Sequence, residues 1–317
     1  MNCLRNEGGM ALLLVLVVIA LLSALLTEFS FSTLVDLRAT ETFRDRTRSY
    51  YLARGGIEAA RMILQEDGND FDHPSEFWGD PLANVPAGEG DVSITISDLS
   101  GRLNLNDVAD NRGNPAFGGT YHRFIALCRE VLGTDQVDSQ QLADALVNWF
   151  NADKTQVTED DSYYSEQRPP YRRKGGKLDT VEELHLVRGF REEIVKQLRP
   201  FVRVFGESQI NLNTASAEVL YTWQFSDAEE NIEIILDRQD IAALIDYRQQ
   251  AAFREVNDLA LAEGIGDRWS AAWRLDSISV KGTLYQLESL GRVNQGSRLA
   301  TAIVQKQGNQ LLSLKVE

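Results

Sequence analysis

The chain has 317 residues, with 32 Lys and Arg against 47 Asp and Glu, so its formal net charge is −15. This length predicts about two domains at roughly 150 residues each. The acidic balance argues against DNA or RNA as a partner, because phosphate binding depends on Lys and Arg. Two cysteines exclude a disulfide-rich scaffold, and a hydrophobic share of 43% excludes a wholly disordered chain.

One segment near the N-terminus is apolar enough to span a membrane. Residues 8–27 contain no charged side chain, and a helix over residues 10–27 would rise about 27 Å, close to the roughly 30 Å of a hydrocarbon core. A secretory signal peptide is the alternative, but its apolar part usually has about 7–15 residues. Because Glu28 and a continuing helical pattern follow, the sequence favours a single-pass anchor with Arg5 on the cytoplasmic side.

The residues before this segment form a short polar leader. Residues 1–9 include Arg5 and end in a glycine pair directly before Met10. This arrangement resembles a type IV prepilin leader, and the resemblance implies that a prepilin peptidase cuts between Gly9 and Met10. Leu14 then takes the fifth mature position, where major pilins and pseudopilins have a glutamate. A carboxylate in lipid is expensive unless it has a partner, so a subunit at a filament tip can do without it.

The helical pattern continues beyond the membrane. Apolar side chains recur every seven residues at Phe43, Tyr50, Ile57 and Leu64, which predicts a stripe that packs on a sheet. We therefore expect one helix of about 55 residues, half in lipid and half on a domain. An anchor joined to a separate soluble helix is the alternative. The glycine pair at 55–56 predicts either a bend or a close contact.

The rest of the chain has strand patterns at both ends and helical patterns between them. Period-two alternation predicts a half-exposed strand at 91–98, after a loop over 69–90. This order indicates an α+β architecture rather than a parallel α/β one. The predicted helices are 122–132, 139–151, 181–187, 192–201, 216–222, 240–250 and 256–262, and the predicted late strands are 276–282, 284–292, 299–305 and 311–316.

Four stretches together are similar to a known family. They are LSGRLNLND at 99–107, LADALVNWFNAD at 142–153, EDDSYYSEQRPPYRRKGGKLDTVEELHLVRGF at 159–190 and INLNTASAEVL at 210–220. In this order they resemble the minor pseudopilin K family of type II secretion systems. Leu14 agrees, because that family lacks the pilin glutamate.

The resemblance implies a fold, a location and partners. The implied fold class is α+β, a pilin-like long N-terminal helix packed on an antiparallel sheet with a large inserted α-helical domain. The implied role is structural, at the tip of the pseudopilus, initiating or capping assembly for protein export across the outer membrane with minor pseudopilins I and J. The implied location is the inner membrane of a Gram-negative bacterium, with the C-terminal domain in the periplasm. The predicted parts are the leader 1–9, the transmembrane part 10–27, the first pilin-like part 28–106, the inserted domain 107–273 and the C-terminal strands 274–317.

An acidic stretch is a candidate metal site. Its four carboxylates are Asp153, Glu159, Asp160 and Asp161. Hard oxygen ligands suit Ca²⁺ better than zinc or copper, although an EF-hand spacing is absent and a solvated acidic loop is the alternative. The resemblance implies structural calcium here. Where the family usually has Asp, this chain has Asn148 and Asn151, so we expect weaker binding.

A second stretch resembles a helix-hairpin-helix module. It starts at residues 210–220, where Asn213 or Thr214 can cap a helix, and includes the helices 240–250 and 256–266. Such modules often contact nucleic-acid phosphate, so a membrane-anchored DNA receptor of competence type is the alternative function. Because residues 227–240 hold six acidic side chains and one arginine, we expect protein contact or packing instead.

Motifs of catalysis are missing from the sequence. It has no P-loop, no His-Glu-x-x-His and no Gly-x-Ser-x-Gly, so we expect that the protein is not an enzyme. Cys128 would be a buried free thiol after Cys3 leaves with the leader. A secreted enzyme with a signal peptide is the third hypothesis, and the position of N-terminal cleavage would separate it from the first.

Overall fold

The structure is a computed structural model that describes residues 7–110, 112–115, 119–133, 138–153, 155, 158–224, 237–266 and 277–317. Three features of the sequence lie outside these residues: Arg5 in the leader, the acidic side chains at 227–233, and the first position of the strand predicted at 276–282. In the described residues the helices are α1 (Glu7–Glu66), α2 (Thr120–Leu132), α3 (Ser139–Phe150), α4 (Glu159–Glu166), α5 (Glu192–Leu198), α6 (Ala217–Tyr221) and α7 (Arg238–Gln250). The strands are β1 (Leu82–Ala87), β2 (Gly90–Asp98), β3 (Leu103–Asn104), β4 (Val202–Arg203), β5 (Ile210–Asn211), β6 (Ile278–Ser279), β7 (Leu284–Val293), β8 (Gly296–Gln305) and β9 (Gln310–Val316).

The first helix is continuous from the leader to the sheet. α1 has 60 residues, so the prediction of one long helix is confirmed and the separate soluble helix is wrong. Within the described part of the chain, it is the one helix long and apolar enough to cross a membrane. The predicted stripe is partly wrong: Ile57 and Leu64 are buried, but Phe43 is 72% exposed because it lies before the first contact with the sheet.

A five-stranded antiparallel sheet packs on the second half of α1. Its order is β1-β2-β7-β8-β9, so strands from both ends of the chain lie side by side. The two layers approach closely because Gly291 and Gly296 face α1, where a Cβ would lie 2.4 Å from Ser49 O and 2.8 Å from Asp45 C. Ser49 Oγ donates a 2.8 Å hydrogen bond to Gly296 O. Gly56 meets the sheet in the same way, so of the two alternatives for the glycine pair the structure shows the close contact. We call α1 and this sheet the pilin-like core.

The chain leaves the core after β2 and returns at β7, and we call residues 99–283 the insert. Asp98 at the end of β2 pairs with Tyr285 at the start of β7. The two connections between the insert and the core therefore lie at the same end of the sheet. That end adjoins the C-terminus of α1, because Lys306 at the end of β8 binds Asp67 and Asp72. The opposite sheet end, at Gly296, lies against residue 45 of α1. The insert therefore stands on the end of the core that is farther along α1 from the apolar segment.

The insert contains the same arrangement twice. We call residues 101–207 the first module and residues 208–282 the second module. Each begins with a two-residue strand that is followed by Leu-Asn, and each closes with a parallel partner strand. Leu103 pairs with Val202 in the first module, and Ile210 pairs with Ile278 in the second.

A buried asparagine holds each module together. Asn106 Nδ2 donates to Leu178 O (2.9 Å) and Val204 O (2.6 Å), and its Oδ1 accepts from Leu178 N (2.7 Å). In the second module, Asn213 Nδ2 donates to Phe253 O (2.8 Å) and Val280 O (3.4 Å). Its Oδ1 accepts from Phe253 N (3.0 Å). The two asparagines thus close equivalent loops onto equivalent strands.

The helices around each asparagine correspond as well. Asp138 caps α3 and Asp237 caps α7, each through its side chain and two backbone N–H groups. Each module then has a six-residue 3₁₀ helix, Val181–Leu186 or Val256–Leu261. Each 3₁₀ helix is followed by a glycine with positive φ, +91° at Gly189 and +78° at Gly264. This agreement of caps, 3₁₀ helices and turns makes the modules two copies of one design.

Several predicted elements need correction. The region 69–90 was predicted as loop, but it contains β1. The acidic stretch was also predicted as loop, but Glu159, Asp160 and Asp161 start α4, because Thr158 and Asp161 form a capping box. Neither Asn213 nor Thr214 caps α6. Ser216 does, and Thr214 Oγ1 instead donates 2.6 Å to Asp98 Oδ2. The domain boundaries stay a prediction.

Candidate functional site

The processing residues lie at the start of α1. Gly9, Met10 and Leu14 are helical and exposed in the described structure, with exposed fractions of 73% for Met10 and 64% for Leu14. An exposed apolar helix face is what a lipid environment requires. Cleavage after Gly9 and the role of Leu14 stay predictions.

The acidic stretch belongs to a segment that only the first module has. Forty positions separate Asp138 from Leu178, whereas sixteen separate the equivalent Asp237 from Phe253. This stretch of the first module is therefore 24 residues longer than its counterpart, and the difference falls after α3. We call residues 152–175 the additional segment, which includes α4.

An aromatic cluster seats the additional segment on α3. The ring centroids of Trp149 and Tyr164 are 5.3 Å apart, and those of Tyr164 and Tyr171 are 5.4 Å apart. Gly175 N donates to Trp149 O at 3.0 Å, and Trp149 Nε1 donates to Glu183 Oε1 at 3.0 Å. Trp149 and Tyr164 are almost completely buried, so the segment has a fixed position on the module.

The predicted metal ligands have other partners in this structure. Asp160 Oδ1 accepts from Arg188 Nη1 and its Oδ2 from Asn148 Nδ2, both at 2.9 Å. Asp161 accepts from Thr158 N at 2.9 Å and lies 3.5 Å from Arg173 Nη1.

Asp153 is on the surface and has only local partners. Its Oδ1 accepts from Thr155 N at 2.9 Å and Thr155 Oγ1 at 2.6 Å, and these hydrogen bonds lower its pKa. The described oxygens of Asp153, Asp160 and Asp161 do not converge on one point. The side chain of Glu159 lies outside the described structure. The donor chemistry fits Ca²⁺, but an ion here has to compete with two arginines.

Three other carboxylates do converge, but a lysine lies among them. In the described part of the chain, Asp67, Asp72 and Glu76 are the one group of three whose ligand atoms lie within 4.8 Å of one another. Lys306 Nζ is 2.9 Å from Asp67 and 2.7 Å from Asp72. Burial lowers the pKa of Lys306, but the two aspartates outweigh it and raise the pKa overall. The ammonium pairs with two of the three carboxylates and links the residues after α1 to the end of β8.

A polar cleft lies where the additional segment meets α3. It has a volume of about 560 Å³, and Asp160, Arg188 and Asn148 form one side of it. The other lining residues are Asp138, Gln141, Leu142, Asp144, Ala145, Gly189, Arg191 and Ile194. We call this the polar cleft.

The charges in the polar cleft are unevenly compensated. Asp160 is paired with Arg188. The Asp138 carboxylate accepts from the backbone N–H groups of Gln140 and Gln141. Asp144 accepts from the Tyr121 hydroxyl at 2.6 Å and from Gln140 Nε2 at 3.3 Å. These recorded donors are neutral, and the arginines that line the cleft are Arg188 and Arg191.

Sequence reasoning did not find this cleft. It missed Asp138, Asp144 and Arg188, since the first two belong to α3 and its cap and the third lies more than forty positions later. The duplication did leave a visible signal, because Leu-Asn-Leu-Asn at 103–106 recurs as Ile-Asn-Leu-Asn at 210–213. Aligned on these two stretches, the asparagine is followed by its partner after 72 positions in the first module and after 40 in the second.

A long N-terminal helix packs on an antiparallel sheet that carries an insert between two of its strands, which defines a pilin-like fold. The apolar first part of the helix fits a membrane anchor. Residues 101–207 match the family model for protein K of the type II secretion system. The chain is 29% identical over 230 residues to type II secretion system protein K of Pseudomonas aeruginosa, over 68% of each chain. It is 23% identical to that of Aeromonas hydrophila, over 98% of this chain and 97% of that one.

The fold has a solved counterpart. A chain in the crystal structure of the GspK-GspI-GspJ complex from the enterotoxigenic Escherichia coli type 2 secretion system matches with a TM-score of 0.68 and 17% identity, over 89% of this chain and 99% of that chain. The α+β fold class is thereby confirmed. The sequence matches confirm the predicted resemblance to the protein K family of type II secretion systems.

Proposed function

We propose that this protein is a minor pseudopilin that occupies the tip of a type II secretion pseudopilus. The observation that carries the proposal is the placement of the insert. It stands on the end of the pilin-like core that adjoins the C-terminus of α1, away from the apolar segment. A subunit stacked above would meet the insert, whereas a subunit below would meet only the core.

The junction between insert and core supports a rigid cap. Asn211 Nδ2 donates to Asp98 Oδ2 at 2.9 Å and to Asp72 O at 3.1 Å. Ser100 Oγ accepts from Thr283 N and Leu284 N at 2.8 and 3.1 Å. These hydrogen bonds involve both connections between insert and core, at residues 98–100 and 283–284, and the loop that contains Asp72. Together they restrict bending of the insert against the core.

The absence of a carboxylate at Leu14 agrees with a tip position. A glutamate in the apolar part of α1 needs a charged partner from a neighbouring subunit. A terminal subunit has no neighbour above it to take part in such a pair. Leu14→Glu should therefore reduce membrane insertion or assembly, and Leu14→Ile is the matched control that keeps the position apolar.

Minor pseudopilins I and J are the proposed partners, since the solved counterpart is named as a complex of those three proteins. The test is co-purification of the mature protein with I and J from cells that express all three. Recovery of a ternary complex is the expected result. Failure of the wild-type chain to associate with either protein would overturn the tip role.

Processing by prepilin peptidase is the second part of the proposal. Cleavage after Gly9 removes the first three residues of α1 and leaves the rest as an inner-membrane anchor with the head in the periplasm. N-terminal sequencing of the mature protein should begin at Met10. A sequence that begins beyond Leu26 would mean that the apolar segment is removed, and the chain would then be no pseudopilin.

Calcium binding at the additional segment is a further part of the proposal. Asp153, Glu159, Asp160 and Asp161 would hold the ion, which would supply positive charge and rigidity to the segment. Because Arg188 and Arg173 compete for two of these carboxylates, we expect weak binding. Calorimetric titration with CaCl₂ and MgCl₂ tests this part of the proposal. Equal heats of binding for the two ions would contradict it. Equal Ca²⁺ binding by wild type and by the double variant Asp153→Asn/Asp161→Asn would contradict it as well.

A further inference from the structure

A groove lies between the insert and the face of the sheet that turns away from α1. Ala302 on β8 belongs to the core shared with α1, and its neighbour Ile303 points to the opposite face because side chains alternate along a strand. Ile303, Leu284 on β7 and Ser313 on β9 form part of the floor of the groove, and Phe205 of the first module forms part of the other wall. The volume is about 580 Å³. We call this the sheet groove.

The sheet groove runs across the sheet to an open edge. Leu99 N donates to Leu284 O at 2.8 Å, and Arg102 N donates to Leu99 O at 3.0 Å, so Arg102 lies on the β7 side. Ser313 and Lys315 on β9 are exposed, and β9 is the last of the described strands in this sheet. β7 and β9 are two strand spacings, or about 10 Å, apart. An extended segment of three or four residues spans this distance.

The lining of the sheet groove is basic in an otherwise acidic protein. Four basic side chains and two carboxylates line it: Arg102, Arg199, Arg203, Lys315, Glu182 and Glu317. This excess of basic groups contrasts with the net charge of −15 of the whole chain. An acidic ligand therefore suits the groove better than a basic one.

Three of the four basic side chains already have partners. Arg199 pairs with Glu182, and Lys315 pairs with Glu317. Arg203 is buried, and its guanidinium donates to four backbone oxygens, including Gln209 O at 3.0 Å. These three cations are thus compensated within the chain.

Arg102 is the exception. Its guanidinium is half-buried, and its one hydrogen bond to another described residue joins Nη1 to Arg199 O at the long distance of 3.5 Å. Asp98 acts on Arg102 from a distance, but its carboxylate already accepts from Ser100 N, Asn211 Nδ2 and Thr214 Oγ1. Burial lowers the pKa of Arg102. A cation that is partly removed from water without an acceptor points to an anionic ligand.

The size and the floor of the groove indicate what carries the anion. A volume of about 580 Å³ is that of a site for a ligand of several residues. A small inorganic anion on Arg102 would leave the apolar floor at Leu284 and Ile303 uncovered. A peptide segment with both acidic and apolar side chains satisfies both parts of the lining.

We propose that the sheet groove binds a short extended segment of another protein, in which an aspartate or glutamate pairs with Arg102 and apolar side chains lie on Leu284 and Ile303. The proposal does not rest on the tip position. Peptide binding can therefore succeed where association with pseudopilins I and J fails, and the reverse.

The test uses the full-length protein in detergent and the fluorescein-labelled peptide Gly-Val-Glu-Val-Glu-Val-Gly with an amidated C-terminus, with binding followed by fluorescence anisotropy. The first ligand control has glutamine in place of both glutamates, and the second is the glutamine peptide with a free C-terminal carboxylate. We expect the glutamate peptide to bind about tenfold more tightly than either control. Equal binding of the first control would overturn the proposal. Equal binding of the second would overturn it too, because the groove would then take a chain terminus.

Arg102→Gln is the variant that removes the unpaired charge. It loses only the 3.5 Å contact to Arg199 O, so the protein should fold and bind the glutamate peptide about tenfold more weakly. Arg292→Gln is the matched control, since Arg292 lies on the same face of β7 at the opposite end of the sheet and should leave binding unchanged. Equal weakening by the two variants would overturn the proposal, since it would show a nonspecific effect of net charge.

A steric block provides an independent readout. Ser313 and Ser297 are both exposed on this face of the sheet, but Ser297 lies at the opposite end, next to Gly296. Ser313→Trp should abolish peptide binding, and Ser297→Trp should not. Wild-type binding by Ser313→Trp, or equal loss in both variants, would place the peptide elsewhere and overturn the proposal.

A second copy of this chain is the competing occupant, and sedimentation velocity tests it. We expect wild type to remain monomeric in detergent as its concentration rises. A concentration-dependent dimer that Arg102→Glu abolishes would assign the sheet groove to a second copy and overturn the proposal.

Discussion

In the first module Trp149 seats the additional segment, whereas at the equivalent position of the second module Arg248 bonds within its own module and to the loop after α1. Each residue follows its N-cap aspartate by eleven positions. Arg248 Nη1 donates to Leu212 O at 2.6 Å, and its backbone O lies 3.0 Å from His73 Nε2 of the loop after α1. One design thus serves two purposes: the second module attaches the insert to the core, and the first presents an extra element.

The largest expected effect comes from the residue that seats the additional segment. Trp149→Ala should lower the free energy of unfolding by about 4 kcal/mol, because it removes a buried aromatic side chain. Amide exchange should accelerate over 160–175, while the second module keeps its protection. Hydrogen exchange with mass spectrometry measures both, and unchanged protection of 160–175 would mean that Trp149 does not hold the segment.

The asparagines test whether the modules are equivalent. Asn106→Ala and Asn213→Ala should each lower the free energy of unfolding by about 3 kcal/mol, since each leaves buried backbone groups without partners. Urea denaturation gives the size of the loss. Amide exchange shows its location, with faster exchange at Leu178 in the first variant and at Phe253 in the second. A loss of stability in only one of the two variants would show that the two asparagines are not equivalent.

The interface between the modules contains a buried cation that lowers stability. The guanidinium of Arg123 lies 3.5 Å from the ring centroid of Trp223, and its Nη2 has no hydrogen-bond partner among the described residues. Burial lowers the pKa of Arg123 to about 9, and Arg203 adds to the effect. Arg123→Met should therefore raise the free energy of unfolding by about 1 kcal/mol at neutral pH.

The pH dependence gives this prediction its sign. Because the folded pKa is below the unfolded value, the unfolded state binds the proton more tightly, and wild-type stability rises with pH above about 9. The advantage of Arg123→Met should shrink over the same range, as denaturation of the two proteins at pH 7, 9 and 10 would show. A constant difference would mean that Arg123 stays charged without penalty.

The smallest expected effect concerns Cys128 on α2, which is useful as a reporter of the first module. It is fully buried, and burial raises the pKa of its thiol, so a thiol reagent should not label the native protein. In urea, labelling should follow unfolding of the first module. If the modules unfold separately, the labelling curve will differ from the circular dichroism curve, and if they unfold together the curves will coincide.

Much of the pilin-like core was predictable from the sequence. The apolar run in α1 and the alternation in β2, β7, β8 and β9 are local patterns, and the structure has these elements within a few residues of the predicted bounds. β1 was missed because it is an exposed edge strand with prolines in and before it, and such a strand has no clear alternation. α4 was missed because Asp, Glu and Ser dominate it, and only its capping box favours a helix.

The candidate site was less predictable. Asp160 was identified as a carboxylate that can bind a cation, but its nearest cation is Arg188, 28 positions later. The motif INLNTASAEVL was read as a helix cap, although Asn211 and Asn213 use their side chains to bind backbone oxygens of distant loops. Sequence rules for helix caps consider only residues within a few positions of the cap, so they do not predict such distant partners.

The amino-acid sequence therefore settled the elements whose stability is local: the membrane helix, the α+β order of elements and the motifs of the protein K family. Periodicity and composition act within a few turns or strands, and one chain displays them directly. The equivalence of the modules, the seating of α4 on Trp149 and the polar cleft were decided by tertiary structure. They depend on contacts between residues that are from 15 to 72 positions apart, and only packing determines which of the possible partners meet.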